Sequence, residues 1–375
     1  MPQRVLIVLG TRPEAIKLAP VVAECRHRAE IAPVLCLTGQ HRELLEPLIA
    51  WFDLRPDRDL QLMRPQQTLA SLTGRCVAAM GEVIEQERPH VVVVQGDTST
   101  VLATAIAAFL ARVPLVHVEA GLRTGNLNAP WPEEFNRRCT TIATTVHAAP
   151  TEAAARQLLA EGVPQSAVHV TGNTVIDALL DTVARQQGND DAWRARYTQL
   201  RDRRMVLVTG HRRENQGRGL EQICDALKRL AARFPQVEFV YPVHPSPLVR
   251  EPVHKLLGDH PNIHLTQPAD YPEFVWLMRR STLIVSDSGG VQEEAPSLQR
   301  PVLVTRETTE RPEGVTAGAV ELIGTDAQRI IDRVTTLLTD LQAYRAMQVA
   351  VNPYGDGQAS RRIVDLIEQI PPANA

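Results

Sequence analysis

Short runs of consecutive apolar residues, each followed by a longer stretch with helical spacing, recur along most of this chain. In the first half they fall at residues 5–9, 33–37, 91–94 and 115–118, and Val168-His169-Val170 closes that set. In the second half they fall at 205–208, 237–241, 263–265, 283–285 and 302–304. Apolar character that is continuous rather than alternating marks strands covered on both faces, as in parallel sheets. The intervening lengths suit crossover helices, so the fold class expected is α/β with doubly wound parallel sheets. At 375 residues the chain has room for two such Rossmann-like domains. The polar turn Thr171-Gly172-Asn173 sets the expected boundary, giving an N-terminal domain over 1–170 and a C-terminal domain over 171–356. Pro353-Tyr354-Gly355-Asp356-Gly357 breaks the pattern before a last amphipathic helix within 357–375.

Composition narrows the function. A net charge of -3 lacks the basic excess of a nucleic-acid binder. No apolar run approaches the roughly 20 residues that span a bilayer, so no membrane partner is expected. The start runs directly into a strand, so no signal peptide is expected. The five cysteines, Cys25, Cys36, Cys76, Cys139 and Cys224, include no Cys-x-x-Cys pair, and the histidines show no ligand spacing. The expectation is a cytoplasmic, metal-free protein that needs no cofactor.

Polar clusters stand where strands should end, the place α/β proteins put their sites. Ser286-Asp287-Ser288-Gly289-Gly290 follows the run at 283–285 and opens a helix carrying Glu293 and Glu294. A helix start exposes unpartnered N–H groups, so this turn suits an anion such as a diphosphate, with Glu294 one turn on for sugar hydroxyls. The same residues also suit an ordinary strand-to-helix turn. Arg12 and Lys17 follow the first strand, where they are placed to face a phosphate; Asp97, Glu119 and Glu133 follow later ones, and His211 and Arg311 belong to the second half. Each has a plainer reading: Asp97 as a helix cap, Glu119 as a structural partner of Arg123, His211 as a loop tie. Their accumulation at strand ends points instead to proton chemistry on a nucleotide sugar, in a cleft between the two domains.

Together the segments resemble the non-hydrolysing bacterial UDP-N-acetylglucosamine 2-epimerases. The resemblance is carried by Gly-Thr-Arg-Pro-Glu-Ala-Ile-Lys (10–17), Gly-Asp-Thr (96–98), His-Val-Glu-Ala-Gly-Leu-Arg-Thr-Gly (117–125), Pro-Trp-Pro-Glu-Glu (130–134), Thr-Gly-Asn-Thr-Val-Ile-Asp (171–177), Gly-His-Arg-Arg-Glu (210–214), Asp-Ser-Gly-Gly-Val-Gln-Glu-Glu-Ala-Pro-Ser (287–297), Thr-Thr-Glu-Arg-Pro-Glu (308–313) and Asn-Pro-Tyr-Gly-Asp-Gly (352–357). It implies a glycosyltransferase-B-type fold, a last helix that packs back on the first domain, and a homodimer. It implies cofactor-independent interconversion of UDP-GlcNAc and UDP-ManNAc, by loss of the C2 proton and elimination of UDP to 2-acetamidoglucal, then re-addition. Asp97, Glu119, Glu133 and His211 become the catalytic candidates, without the acid and base roles being divided among them. Arg12, Lys17, Ser288, Gly289, Gly290 and Arg311 would hold the diphosphate, Glu294 the ribose, and Phe274 would lie near the uracil.

Two positions depart from the pattern of members activated by a second UDP-GlcNAc. Glu43 stands where they have Gln and Gln66 where they have Arg, although Gln40, His41 and His244 are kept. Loss of that fixed positive charge argues against strong substrate activation. Rival readings are an epimerase of a 2,3-diacetamido uronic acid, a glycosyltransferase of the same fold, and a silent nucleotide-sugar sensor. The Glu-x₇-Glu pattern of retaining transferases is missing, since Ser286 occupies the earlier position.

Overall fold

The computed structural model describes residues 2–39, 42–64, 66–188, 190–200 and 202–371, with the side chains of 42–44 and 213 outside that description. Two compact units result, Met1–Ala178 with Tyr354–Ala375, and Leu179–Pro353.

The first unit runs β1 (Gln3–Leu9), α1 (Arg12–His27), β2 (Ile31–Leu37), α2 (Arg42–Trp51), β3 (Arg58–Asp59), α3 (Leu69–Glu87), β4 (Val91–Gln95), α4 (Ser99–Leu110), β5 (Leu115–Val118), α5 (Glu133–Ala143), β6 (Val146–Ala149), α6 (Glu152–Ala160) and β7 (Val168–Val170). These strands form one parallel sheet in the order β3-β2-β1-β4-β5-β6-β7. Every residue of β4 and β5 is buried, as continuous apolar strands covered on both faces must be. Gly121, after β5, has φ +94°, and a Cβ there would lie 2.3 Å from the Ala154 carbonyl oxygen, so only glycine fits.

Helix α7 (Thr174–Gln186) begins in the first unit and ends in the second. The division thus falls inside this helix, later than the turn from which the sequence set the boundary. Its first turn is tied to the returning tail: the Asn173 N–H donates to the Tyr354 carbonyl at 2.7 Å, and Asp177 accepts from the Ala359 and Ser360 N–H groups. The last helix, α16 (Ala359–Glu368), packs on α1 within the first unit, where Arg28 pairs with Asp365 and Glu368.

The second unit continues with α8 (Asp190–Arg196), β8 (Arg204–Thr209), α9 (Arg218–Arg233), β9 (Val237–Pro242), α10 (Pro247–Leu257), β10 (Ile263–Thr266), α11 (Tyr271–Arg280), β11 (Leu283–Ser286), α12 (Gly289–Glu294), β12 (Val302–Val304), α13 (Pro312–Thr316), β13 (Val320–Leu322), α14 (Ala327–Thr339) and α15 (Leu341–Ala346). Its parallel sheet has the order β10-β9-β8-β11-β12-β13. Helix α9 shows why these helices cover a sheet: Leu220, Ile223, Cys224, Leu227 and Leu230 recur at helical spacing and are buried.

Candidate active site

In each sheet the strand order reverses once, between β1 and β4 in the first unit and between β8 and β11 in the second. Chain connections leave such a point in opposite directions, opening a crevice beyond the carboxyl ends of the strands. The polar clusters sit on these turns. After β1 and β4 come Gly10–Thr11 and Gly96–Thr98; after β8 and β11 come Gly210–Asn215 and Asp287–Gly290.

In the first unit the β1–α1 turn is already occupied by a carboxylate. Glu14 accepts from the Gly10 and Thr11 N–H groups, each at 2.7 Å, and from the Thr98 hydroxyl at 2.5 Å. Burial pushes the Glu14 carboxyl up from its ordinary value against these donors. Thr98 caps α4, accepting from the Val101 N–H at 3.3 Å, so the cap is not Asp97. Asp97 instead accepts a hydrogen bond from Arg137 Nε at 2.9 Å on Oδ2, and Nη2 of the same guanidinium lies 2.8 Å from that oxygen as an ion pair.

Glu119 leaves β5 with φ +65° and is buried beside Lys17, whose ammonium donates to Oε1. The Gln95 amide donates to Oε2. A Cβ on Gly96 would lie 4.0 Å from that oxygen, so the turn before Asp97 runs beside Glu119. Arg123 is engaged elsewhere, with both oxygens of Glu161 at 2.8 Å and with Thr141. His117, buried under the same turn, bonds the Gly96 carbonyl at 2.7 Å through Nε2, and burial lowers its pKa to about 4. It is therefore a neutral imidazole donating from Nε2 at neutral pH.

In the second unit Asp287 is fully buried and organises the β8 turn. It accepts from the N–H groups of His211 at 2.9 Å and Arg212 at 2.8 Å, and from the Asn215 amide at 3.2 Å. Burial pushes its carboxyl up, but the bonds from His211 and the Arg212 N–H outweigh this and hold it below its ordinary value. The His211 Nδ1 lies 3.3 Å from Oδ1, and the ring stacks on His244 at 5.6 Å. An acid fixed on Nδ1 orients the imidazole and leaves Nε2 for proton transfer.

Beyond β11, Ser288 holds the cap position of α12 without a side-chain cap bond, and Gly289 and Gly290 open the helix. The Arg311 guanidinium lies directly over Gly289, where a Cβ would stand 2.6 Å from Cζ and Nη1. Glu293 holds Arg311 through Nε at 2.5 Å. Glu294 is buried and accepts from the Tyr271 hydroxyl at 2.7 Å, its other oxygen lying over Gly290. With only six residues α12 has a small dipole, so the turn's capacity for an anion rests on its N–H groups and on Arg311.

The chain matches the family model described as UDP-N-acetylglucosamine 2-epimerase over residues 23–368. It is 53% identical over 372 residues to a probable UDP-N-acetylglucosamine 2-epimerase of Ralstonia nicotianae, covering 98% of this chain and 99% of that one. Against the UDP-N-acetylglucosamine 2-epimerase of Escherichia coli K12 it is 50% identical, covering 97% and 98%. The crystal structure of UDP-GlcNAc 2-epimerase from Neisseria meningitidis bound to UDP-GlcNAc superposes with a TM-score of 0.92 at 44% identity, covering 98% of this chain and 100% of that one. The chain belongs to the UDP-N-acetylglucosamine 2-epimerase family. UDP-N-acetylglucosamine 2-epimerases share its two-domain fold of glycosyltransferase-B type, and the matches support epimerase activity of that kind for this enzyme.

Seen beside the epimerase motifs, the structure groups some expected residues and separates others. It joins Lys17 to Glu119, and it gathers Ser288, Gly289, Gly290, Glu294 and Arg311 on one turn, linked to His211 through Asp287. Glu133 begins α5 with a buried Oε2 that bonds none of the described residues. Arg12 is exposed at the start of α1, and Phe274 is half-buried on α11. Gln66 is exposed with φ +54°; Gln40 and His41 lie outside the described residues, as does the side chain of Glu43. Sequence reasoning missed the partners: Arg137 and Asn136 on Asp97, Gln95 on Glu119, and Asp287 under His211. Among the described residues no helix is long and apolar enough to cross a membrane, and no cluster of three or more His, Cys, Asp or Glu is arranged to hold a metal ion.

Proposed function

We propose that the enzyme interconverts UDP-GlcNAc and UDP-ManNAc without an added cofactor. The C2–H bond breaks, its electron pair forms the C1=C2 bond of 2-acetamidoglucal, and the C1–O bond breaks to release UDP into the site. Re-addition of UDP at C1 with protonation of C2 from the other face gives the epimer. Asp97, Glu119, Glu133 and His211 handle the proton. The Ser288–Gly290 turn, Arg311, Arg12 and Lys17 take the diphosphate, whose growing charge in the elimination they stabilise. Glu294 holds the ribose hydroxyls and Phe274 lies near the uracil. The Neisseria protein's bound UDP-GlcNAc supports this substrate.

One observation carries the reading. Beside the β1/β4 reversal two carboxylates, Asp97 and Glu119, are each fixed by a cation, Arg137 and Lys17, and Glu119 is aimed further by the Gln95 amide. Binding alone needs no such pair, whereas proton removal at a weakly acidic carbon needs a positioned base. The test uses UDP-GlcNAc carrying ¹⁸O in the sugar–phosphate bridge. Elimination predicts migration of the label to non-bridging oxygens of recovered substrate; a label that stays bridging during epimerisation rules elimination out.

Gly289→Ala probes the diphosphate cradle. The new methyl displaces the Arg311 guanidinium, the mobile end of a side chain, so folding tolerates it. Loss of one charge-assisted contact of ~1.5–3 kcal/mol weakens UDP binding by roughly 10- to 100-fold. Calorimetry checks this, with unchanged affinity as the contrary result.

The homodimer implied by the resemblance uses the outer face of α4 and α5. Phe109, Leu110 and Ile142 are 64%, 71% and 84% exposed, and Ile106 and Phe135 join them on the same packed helix pair. An apolar face of this kind is covered in a soluble protein. Phe109→Asp combined with Ile142→Asp should yield a monomer by light scattering; a persisting dimer would place the interface elsewhere.

A further inference from the structure

Helix α5 carries, besides Glu133, two side chains that contact Asp97, Asn136 and Arg137, and a third, Glu134, that contacts Arg137. The segment Glu134-Phe135-Asn136-Arg137 sets Glu134 and Arg137 one turn apart, on the side of the helix facing the β4 turn. Glu134 is fully buried, and its oxygens accept from the Thr124 N–H at 3.1 Å, the Gly125 N–H at 3.3 Å and Arg137 Nη1 at 3.2 Å. A buried carboxylate is costly, and one that braces a guanidinium fixes the plane of that guanidinium. Asn136 donates to the Asp97 main-chain carbonyl at 2.8 Å, and His117 bonds the Gly96 carbonyl just before it. Main chain and side chain of Asp97 are therefore held independently.

The geometry at the carboxylate is one-sided. Arg137 Nε and Nη2 both reach Oδ2, at 2.9 and 2.8 Å, rather than straddling the two oxygens as a fork-to-fork pair does. Among the described residues no donor reaches Oδ1. We propose that Arg137 is a positioning residue, which engages Asp97 through Oδ2 alone so that Oδ1 is the oxygen exchanging the C2 proton with the sugar. When the proton leaves C2 it moves to Oδ1, the electron pair enters the C1=C2 bond and UDP departs; the reverse step returns a proton from Oδ1. Arg137 carries no proton in either direction. Its charge and direction decide which oxygen faces the sugar, and Glu134 decides where Arg137 points. This inference rests on the catalytic role proposed for Asp97.

The test compares Asp97→Asn, Arg137→Ala, Arg137→Lys and the double variant D97N/R137A. UDP affinity and far-ultraviolet circular dichroism serve as controls on the fold. Arg137→Ala should lower kcat by roughly 10²-fold with KM within about threefold, because the lost group acts on a reacting carboxylate and not on substrate binding. Arg137→Lys, a point charge without the fork, should lose about tenfold. Added guanidinium ion should restore part of the kcat of R137A and none in the double variant, which should be no slower than D97N alone. A merely structural arginine would show no such rescue. If D97N is inactive while R137A and R137K turn over normally, the proposal is overturned. It is equally overturned if the double variant loses the product of the two single effects. Normal turnover in D97N would sink the role of Asp97 itself and this proposal with it. Should R137A fail to bind UDP, R137K decides between these outcomes.

Discussion

Asp97→Asn is expected to lower turnover by about 10²-fold or more while leaving the protein folded and able to bind UDP. Asparagine keeps the shape of the side chain and still offers an oxygen to Arg137, so the contacts from α5 survive. It cannot take up or deliver a proton, so only the chemical step is lost. The cap of α4 is untouched, because Thr98 supplies it. The measurement is steady-state kinetics in both directions beside calorimetric titration with UDP. A fall in kcat with preserved affinity is the predicted pattern. Near-normal turnover would return Asp97 to a structural role.

Lys17→Met should act on stability and activity together. The Lys17–Glu119 pair is buried, and removing the ammonium strands a carboxylate that, among the described residues, only Gln95 and the more distant Asn173 amide address. Breaking such a pair from one side costs about 3–5 kcal/mol, which urea unfolding would register. Turnover should also fall, since the carboxylate loses the cation that fixes it. The double variant K17M/E119Q removes both charges, so it should regain most of the stability and none of the activity. Stability unchanged in K17M would mean that the pair contributes nothing, against the burial seen here.

The strand pattern was readable because fully buried parallel strands are apolar without interruption, as Val91–Gln95 is. It failed where that condition lapses. Val146-His147-Ala148-Ala149 forms β6 from small residues and a histidine, β13 lies at a sheet edge, and β3 is only two residues long. Helical spacing predicts a Glu119–Arg123 pair. The chain after β5 is a turn with φ +65° at Glu119, so residues four apart do not share a face there. Lys17 and Asp287 were visible as residues but not as partners of Glu119 and His211. Those contacts bridge 102 residues in one case and 76 in the other, and only the sheet order brings them together. Strand-end position thus pointed to the candidate acids, whereas what holds each acid in place is set by tertiary packing.

The central claim, that carboxylates at the strand ends exchange the C2 proton of a UDP-sugar, is tested most directly by proton NMR of the enzyme with UDP-GlcNAc in D₂O and no added cofactor. The account predicts UDP-ManNAc bearing deuterium at C2, together with UDP-GlcNAc that has acquired deuterium at the same carbon. Epimer that keeps its original C2 hydrogen, or substrate that binds and never changes, would contradict it.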